Sequence, residues 1–181
     1  MNIVHASIPE GLILAPKIFR DERGFFYESY NERTFSGQTG IEPLFVQDNH
    51  SRSACNVLRG LHYQIQQVQA KLVRVVAGEI YDVVLDIRKT SPTFGTWIST
   101  ALTADNRRML WVPQGFAHGF LVTSAFAEVQ YKTTDYWAPQ FERCILWNDA
   151  QLNIPWPLIG TPIVSDKDQK GSHFSDAELP L

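Results

Sequence analysis

Short apolar runs, rich in β-branched and aromatic residues, recur along the chain with Gly, Pro, Asn or Asp between them. They fall at Phe25–Tyr30, Leu44–Gln47, Leu72–Ala77, Glu79–Ile87, Trp97–Leu102, Met109–Val112, Phe116–Val122 and Glu128–Thr133. Runs of this length and composition predict strands. Within Glu79–Ile87, the positions of Ile80, Val84 and Leu85 predict a strand buried on much of both faces. Within Glu128–Thr133, strict alternation sends Val129, Tyr131 and Thr133 to one face and Glu128, Gln130 and Lys132 to the other. Ser91–Gly95 and Pro113–Gly115 carry turn chemistry. Helix signals are sparse: one or two turns over Tyr30–Phe35 capped by Asn31, and a short piece at Ser175–Leu179. Many short strands with frequent turns predict an all-β, double-sheet jelly roll with a few short helices.

Composition narrows the class. The 181 residues show no linker and no repeat, which predicts a single domain over 1–181. A hydrophobic share of 44% with 19% charged residues is globular and excludes a disordered or coiled-coil chain. The net charge of −3 argues against a nucleic-acid partner, since such domains are usually basic. Cys55 and Cys144 have no zinc-type spacing, and no apolar run is long enough to span a membrane. The N-terminus lacks a basic segment followed by an apolar stretch, so the expected setting is cytoplasmic and reducing, without membrane attachment.

The candidate chemistry lies inside the apolar runs. His62 and Arg59 sit together in Val57–Gln64, where polar groups are costly unless they share a cavity. His118 follows a Pro-x-Gly turn and precedes Gly119, where a missing side chain permits close approach of backbone or ligand. Tyr131 points to an inner face and needs a partner for its hydroxyl. Each of these has an equally ordinary reading as a satisfied structural residue, and the residues alone leave both open. Tyr136-Trp137 suits either a platform for a flat ring or edge packing. Arg23, Lys71, Arg74 and Lys167, spread through an acidic protein, suit a small dianion such as a diphosphate.

Taken in order, a set of longer strings resembles one family. They are Asp21–Ser29 (DERGFFYES), Phe45–Ser51 (FVQDNHS), Val57–Gln64 (VLRGLHYQ), Gln69–Val75 (QAKLVRV), Ser91–Gly95 (SPTFG), Gly115–Phe120 (GFAHGF) and Ser165–Asp168 (SDKD). The chain is similar over about Ile8 to Asp168 to the dTDP-4-dehydrorhamnose 3,5-epimerases, cupin-fold enzymes acting on nucleotide sugars. The resemblance implies His62 as base, Tyr131 as acid, Asp168 as partner of the base and Lys71 as the cation near the keto oxygen. It implies nucleotide-sugar contacts from Arg23, Glu28, Gln47, Asn49, Arg59, His118, Glu142 and Lys167, with Trp137 stacked on the thymine. Phe26 matches a position that reaches the pocket from the neighbouring subunit of a homodimer. The implied partner is a dTDP-sugar, with no cofactor and no metal. The types suit the chemistry: imidazole titrates near working pH, a lysine stabilises an enolate, and inversion needs a second acid on the opposite face. Two alternatives stand beside this reading. One is a single-centre epimerase or ketoisomerase of a related dTDP-sugar. The other is a metal-dependent cupin, against which Gln64 stands where a second histidine ligand belongs.

Overall fold

Two antiparallel sheets stack face to face in the computed structural model, which describes residues 2–5 and 10–180. The strands are β1 (Asn2–His5), β2 (Leu12–Ala15), β3 (Phe19–Asp21), β4 (Gly24–Phe26), β5 (Gln47–Ala54), β6 (Leu58–Gln64), β7 (Lys71–Ala77), β8 (Glu79–Asp86), β9 (Trp97–Thr103), β10 (Met109–Val112), β11 (Phe116–Val122), β12 (Phe126–Thr133) and β13 (Glu142–Cys144). One sheet has six strands in the order β1-β2-β10-β7-β12-β5; the other has five, β13-β6-β11-β8-β9. β3 and β4 form a separate hairpin. The helices are α1 (Glu32–Thr39) and α2 (Asp166–Gln169).

The alternation of side chains divides the apolar residues into three layers. Val73, Val75, Leu110 and Val129 from one sheet meet Ile80, Val84, Phe116 and Phe120 from the other to form the core between them. The outer face of the five-stranded sheet is covered by Leu152, Trp156 and Phe174 of the C-terminal segment, which pack on Val83, Leu85 and Leu121. The outer face of the six-stranded sheet is covered by Phe35 of α1 against Leu14, Leu72 and Trp111. β8 is therefore buried on both faces, as its composition predicts: Ile80 and Val84 point inward, Val83 and Leu85 outward.

Several elements differ from expectation. The strand expected over Phe25–Tyr30 stops at Phe26, and Tyr30 turns instead to pack edge-on to Phe45 and near Phe35. The strand expected over Leu44–Gln47 begins only at Gln47 and continues through the polar residues to Ala54, along β12 at the sheet edge. A strand with one neighbour and an exposed face tolerates polar residues, and those hid it. Asn31 caps α1 through its side chain as expected, but the helix runs on to Thr39 and ends at Gly40 in the left-handed conformation (φ 71°). The piece expected at Ser175–Leu179 is a single 3-10 turn at Phe174–Asp176. β1, β2, β3, β13 and α2 are too short to leave a periodic signal.

Candidate active site

At one end of the sandwich the apolar core gives way to an open cavity of about 290 Å³. Its walls come from both sheets: Gln47 and Asn49 of β5, Lys71 of β7 and Tyr131 of β12 on one side, His62 and Gln64 of β6 and Glu142 of β13 on the other. Trp137 stands at the rim, 57% exposed, and Pro180 of the C-terminal tail completes the wall. Strand register sets these positions. Tyr131 lies between Asn49 and Val73, and His62 lies between His118 and Cys144.

Two glycines let β6 and β11 come close enough to aim His62. A Cβ on Gly60 would stand 2.6 Å from Gly119 Cα, and one on Gly119 would stand 2.7 Å from the Arg59 carbonyl oxygen. Gly60 also has φ of 115°, a conformation open to glycine and strained for other residues. The strand register shifts here, between His118 and Phe120.

Behind His62 sits Asp168, 3% exposed, with Oδ1 2.6 Å from Nε2 of the imidazole. Asp168 is delivered by α2, whose cap Ser165 accepts a hydrogen bond from the Asp168 backbone N–H at 3.1 Å. Its second oxygen accepts from Gly60 N–H at 3.2 Å. Burial pushes the Asp168 carboxyl up, but the hydrogen bond and charge of His62, the Gly60 N–H and Lys167 outweigh it and hold the group below the usual carboxylate range. With Asp168 an anion, Nε2 of His62 carries the hydrogen and Nδ1 keeps a free lone pair. Lys167, next in α2, points the other way and pairs with Glu142 at 2.5 Å. Glu142 also accepts from Trp137 Nε1–H at 3.1 Å. Burial raises the Glu142 carboxyl, and the bonds from Lys167 and Trp137 together with His62 bring it below its ordinary value.

On the facing wall Lys71 is pushed down to about 8, chiefly because its ammonium is desolvated, with Glu142 and Asp82 opposing the shift and Lys167 adding to it. The Tyr131 phenol is pushed up by burial and by Glu142, with Arg59 acting against, so it stays protonated at neutral pH. The cavity thus holds a free imidazole lone pair on one wall and a phenol with a cation on the other.

Of the residues singled out from the sequence, His62, Lys71, Tyr131, Gln47, Asn49, Trp137 and Glu142 line this cavity. Asp168 and Lys167 lie directly behind His62 and Glu142. His118 is not among the lining residues, although it lies opposite His62 in the β11–β6 register. It is buried, with Nε2 2.9 Å from the fully buried Asp82. Arg59 is exposed despite its apolar strand, and its Nε donates to Ser53 Oγ. Arg23, Phe26 and Glu28 are not brought to the cavity within one chain; Arg23 and Phe26 border a shallow hollow on the β3–β4 hairpin. Tyr136 also stays outside.

Asp82 carried no signal of its own within its apolar strand. Gln64, read from sequence only as a missing metal ligand, anchors the rim: it donates to the Gln67 and Tyr136 carbonyls and accepts from Ala138 N–H. Gln47 does the same from β5, accepting from the Trp137 N–H at 3.0 Å. Among the described residues one cluster has donors suited to a metal ion, His62, Cys144 and Asp168, whose ligand atoms lie within 4.8 Å of one another.

The chain is similar to enzymes of one family over nearly its whole length. A family model described as dTDP-4-dehydrorhamnose 3,5-epimerase matches residues 5–176. A dTDP-4-dehydrorhamnose 3,5-epimerase of Pseudomonas aeruginosa is 55% identical over 178 residues, covering 98% of each chain. The dTDP-6-deoxy-D-glucose-3,5-epimerase of Legionella pneumophila, solved with dTDP-4-keto-L-rhamnose, superposes with a TM-score of 0.96 at 50% identity, covering 99% of this chain and 97% of that one. A 3'-monoepimerase of Streptomyces bikiniensis, solved with dTDP-quinovose, superposes at 0.91 with 32% identity, covering 97% and 91%.

Proposed function

The chain belongs to the dTDP-4-dehydrorhamnose 3,5-epimerase family, isomerases of cupin-type fold that serve dTDP-L-rhamnose biosynthesis, and from that premise we propose how its cavity inverts C3 and C5 of dTDP-4-dehydro-6-deoxy-D-glucose. The C4 ketone acidifies the hydrogens on both neighbouring carbons. His62 Nδ1, free because Nε2 is turned to Asp168, takes the hydrogen as a proton. The C–H electron pair moves into an enolate whose oxygen is stabilised by the Lys71 ammonium. Tyr131 then gives its phenolic proton to the same carbon from the opposite face. The phenolate regains a proton from water and the imidazolium releases one, so each inversion is proton-neutral. Asp168 stabilises the imidazolium in between. The observation that carries this reading is that His62 and Tyr131 reach one cavity from opposite sheets, with Lys71 on the same wall as Tyr131.

The nucleotide is held at the rim. Trp137 supplies a flat, exposed face for the thymine, and Gln47, Asn49 and Glu142 contact the nucleotide sugar. Lys167 and Arg59 are the nearby cations for a diphosphate. His118, paired with Asp82, shares the inner face of its sheet with His62, its neighbour in the β11–β6 register. We assign Arg23, Phe26 and Glu28 to the cavity of a second subunit in a homodimer. The exposure of Phe19 (52%), Phe25 (55%) and Phe26 (67%) on one hairpin supports this. Light scattering at micromolar concentration tests it, a fully active monomer being the contrary result. A single domain over residues 1–181 and a cytoplasmic location complete the proposal; no helix among the described residues is long and apolar enough to cross a membrane.

The experiment is incubation with dTDP-4-dehydro-6-deoxy-D-glucose in D2O, followed by proton NMR. Deuterium and inverted configuration at both C3 and C5 are expected. Inversion confined to C3 would favour the single-centre reading, to which the resemblance to the Streptomyces monoepimerase gives weight.

A further inference from the structure

Cys144 stands beside the His62–Asp168 pair and has no part in the chemistry above. It lies opposite His62 in the β13–β6 register, with Sγ 3.9 Å from the same Asp168 oxygen that bonds to Nε2. We propose that His62, Cys144 and Asp168 form an inhibitory site for a thiophilic divalent cation, zinc or cadmium, which captures the base and stops it from working.

The donor set suits such an ion in kind, spacing and charge. One imidazole, one thiolate and one carboxylate are the usual zinc ligands, with distances of about 2.0, 2.3 and 2.1 Å. A tetrahedral ion with those bond lengths holds its donors about 3.3–3.7 Å apart. The donors here are 2.6 Å (Nε2 to Oδ1) and 3.9 Å (Sγ to Oδ1) apart, so a modest rotation of His62 makes room. His62 can give, since its side chain is 27% exposed, whereas Asp168 is fixed by α2 and Gly60. His62 lines the cavity and Cys144 and Asp168 lie behind it, so an ion reaches them as the imidazole turns aside. A dication with one thiolate, one carboxylate and a neutral imidazole has no net charge, which removes the main cost of placing it beside a buried Asp168.

Proton balance explains the inhibition. On binding, the Cys144 thiol loses its proton to solvent, and Nε2 gives its lone pair to the metal. The hydrogen that Nε2 carried moves to Nδ1. Nδ1 is the atom that abstracts the substrate proton, and with a hydrogen on it there is no lone pair left to do so. The inhibitory part of the proposal rests on His62 being the base; the binding part does not.

The test uses cobalt(II) as a spectroscopic probe and zinc as the inhibitor, with magnesium as the hard-ion control. Cobalt should give a thiolate-to-metal charge-transfer band in the near ultraviolet with the wild type and with Cys55→Ser, and none with Cys144→Ser or Cys144→Ala. Circular dichroism shows whether each variant is folded. Zinc at micromolar concentration should lower wild-type turnover at least 10-fold, EDTA should restore it, and magnesium should do nothing. Cys144→Ser should turn over normally in the absence of zinc and need at least 10-fold more zinc for the same inhibition. No cobalt band, or a band that survives in Cys144→Ala, overturns the site. Equal zinc sensitivity of wild type and Cys144→Ser overturns the inhibition. A Cys144-dependent band with undiminished turnover keeps the metal site but contradicts His62 as the base.

Discussion

His62 Nε2 lies 2.6 Å from Asp168 Oδ1, although 106 residues separate them in sequence. The bond joins a strand of the five-stranded sheet to a four-residue helix in the C-terminal segment. It fixes which ring nitrogen faces the cavity, and its carboxylate stabilises the imidazolium formed on proton abstraction. Asp168→Asn keeps the shape and removes the charge. Turnover should fall by roughly 100-fold or more, as expected when a base loses its orienting anion. KM should change little, because Asp168 does not line the cavity. Steady-state kinetics on the variant check both; unchanged turnover would remove Asp168 from the mechanism.

Lys71 sets the alkaline side of the pH profile. Its ammonium, desolvated and brought down to about 8, is charged below that pH and neutral above it. The charged form stabilises the enolate, so kcat should fall as pH rises through about 8. Tyr131, held above its ordinary value of 10.0, does not ionise in that range. Lys71→Arg, charged throughout, should lose this limb at reduced overall activity. In the unfolded chain a lysine keeps its proton to about 10.5, so between the two values the unfolded state binds more protons and the Lys71 contribution makes stability rise with pH. A kcat that stays flat to pH 10 would contradict the assigned role.

Trp137→Ala should act on binding rather than chemistry. Stacking on a base is worth about 1–3 kcal/mol, which corresponds to a rise of about 5- to 150-fold in KM. Turnover should change far less, since the indole is at the rim and the reacting carbons lie deeper. The variant also loses the bond from Nε1–H to Glu142, which Lys167 still holds. Isothermal titration with dTDP separates the two effects; equal affinity for wild type and variant would place the thymine elsewhere.

The strands that pack between sheets were legible because burial on one or both faces leaves a dense apolar signature, as in Leu72–Ala77 and Phe116–Val122. β5 was not, because an edge strand with alternate exposed positions carries QDNHSRSA as readily as apolar residues. The cavity wall was half legible. A histidine and a tyrosine in apolar strands signal that something polar is inside, but not whether it is a cavity or a buried partner. For His62 and Tyr131 it is the cavity; for His118 it is Asp82, which the register places two strand positions from Val84 on the adjacent strand. Arg59, in the same strand as His62, is exposed and bonds across to Ser53 of β5. Asp168 was visible only through the family string, because nothing local tells a capping turn that it will reach a strand so distant in sequence.

The division of labour between His62 and Tyr131 is tested most directly by NMR in D2O, with deuterium content and configuration at C3 and C5 followed separately for two variants. His62→Ala should neither exchange nor invert, while still binding dTDP. Tyr131→Phe keeps the base and Lys71, so it should exchange hydrogen at one carbon or both, returning it to the face it left, while the rhamnose-configured product forms roughly 100-fold more slowly or worse. Inversion of both centres by Tyr131→Phe at near wild-type rate, or wash-out of the C3 and C5 hydrogens by His62→Ala, would contradict the assignment.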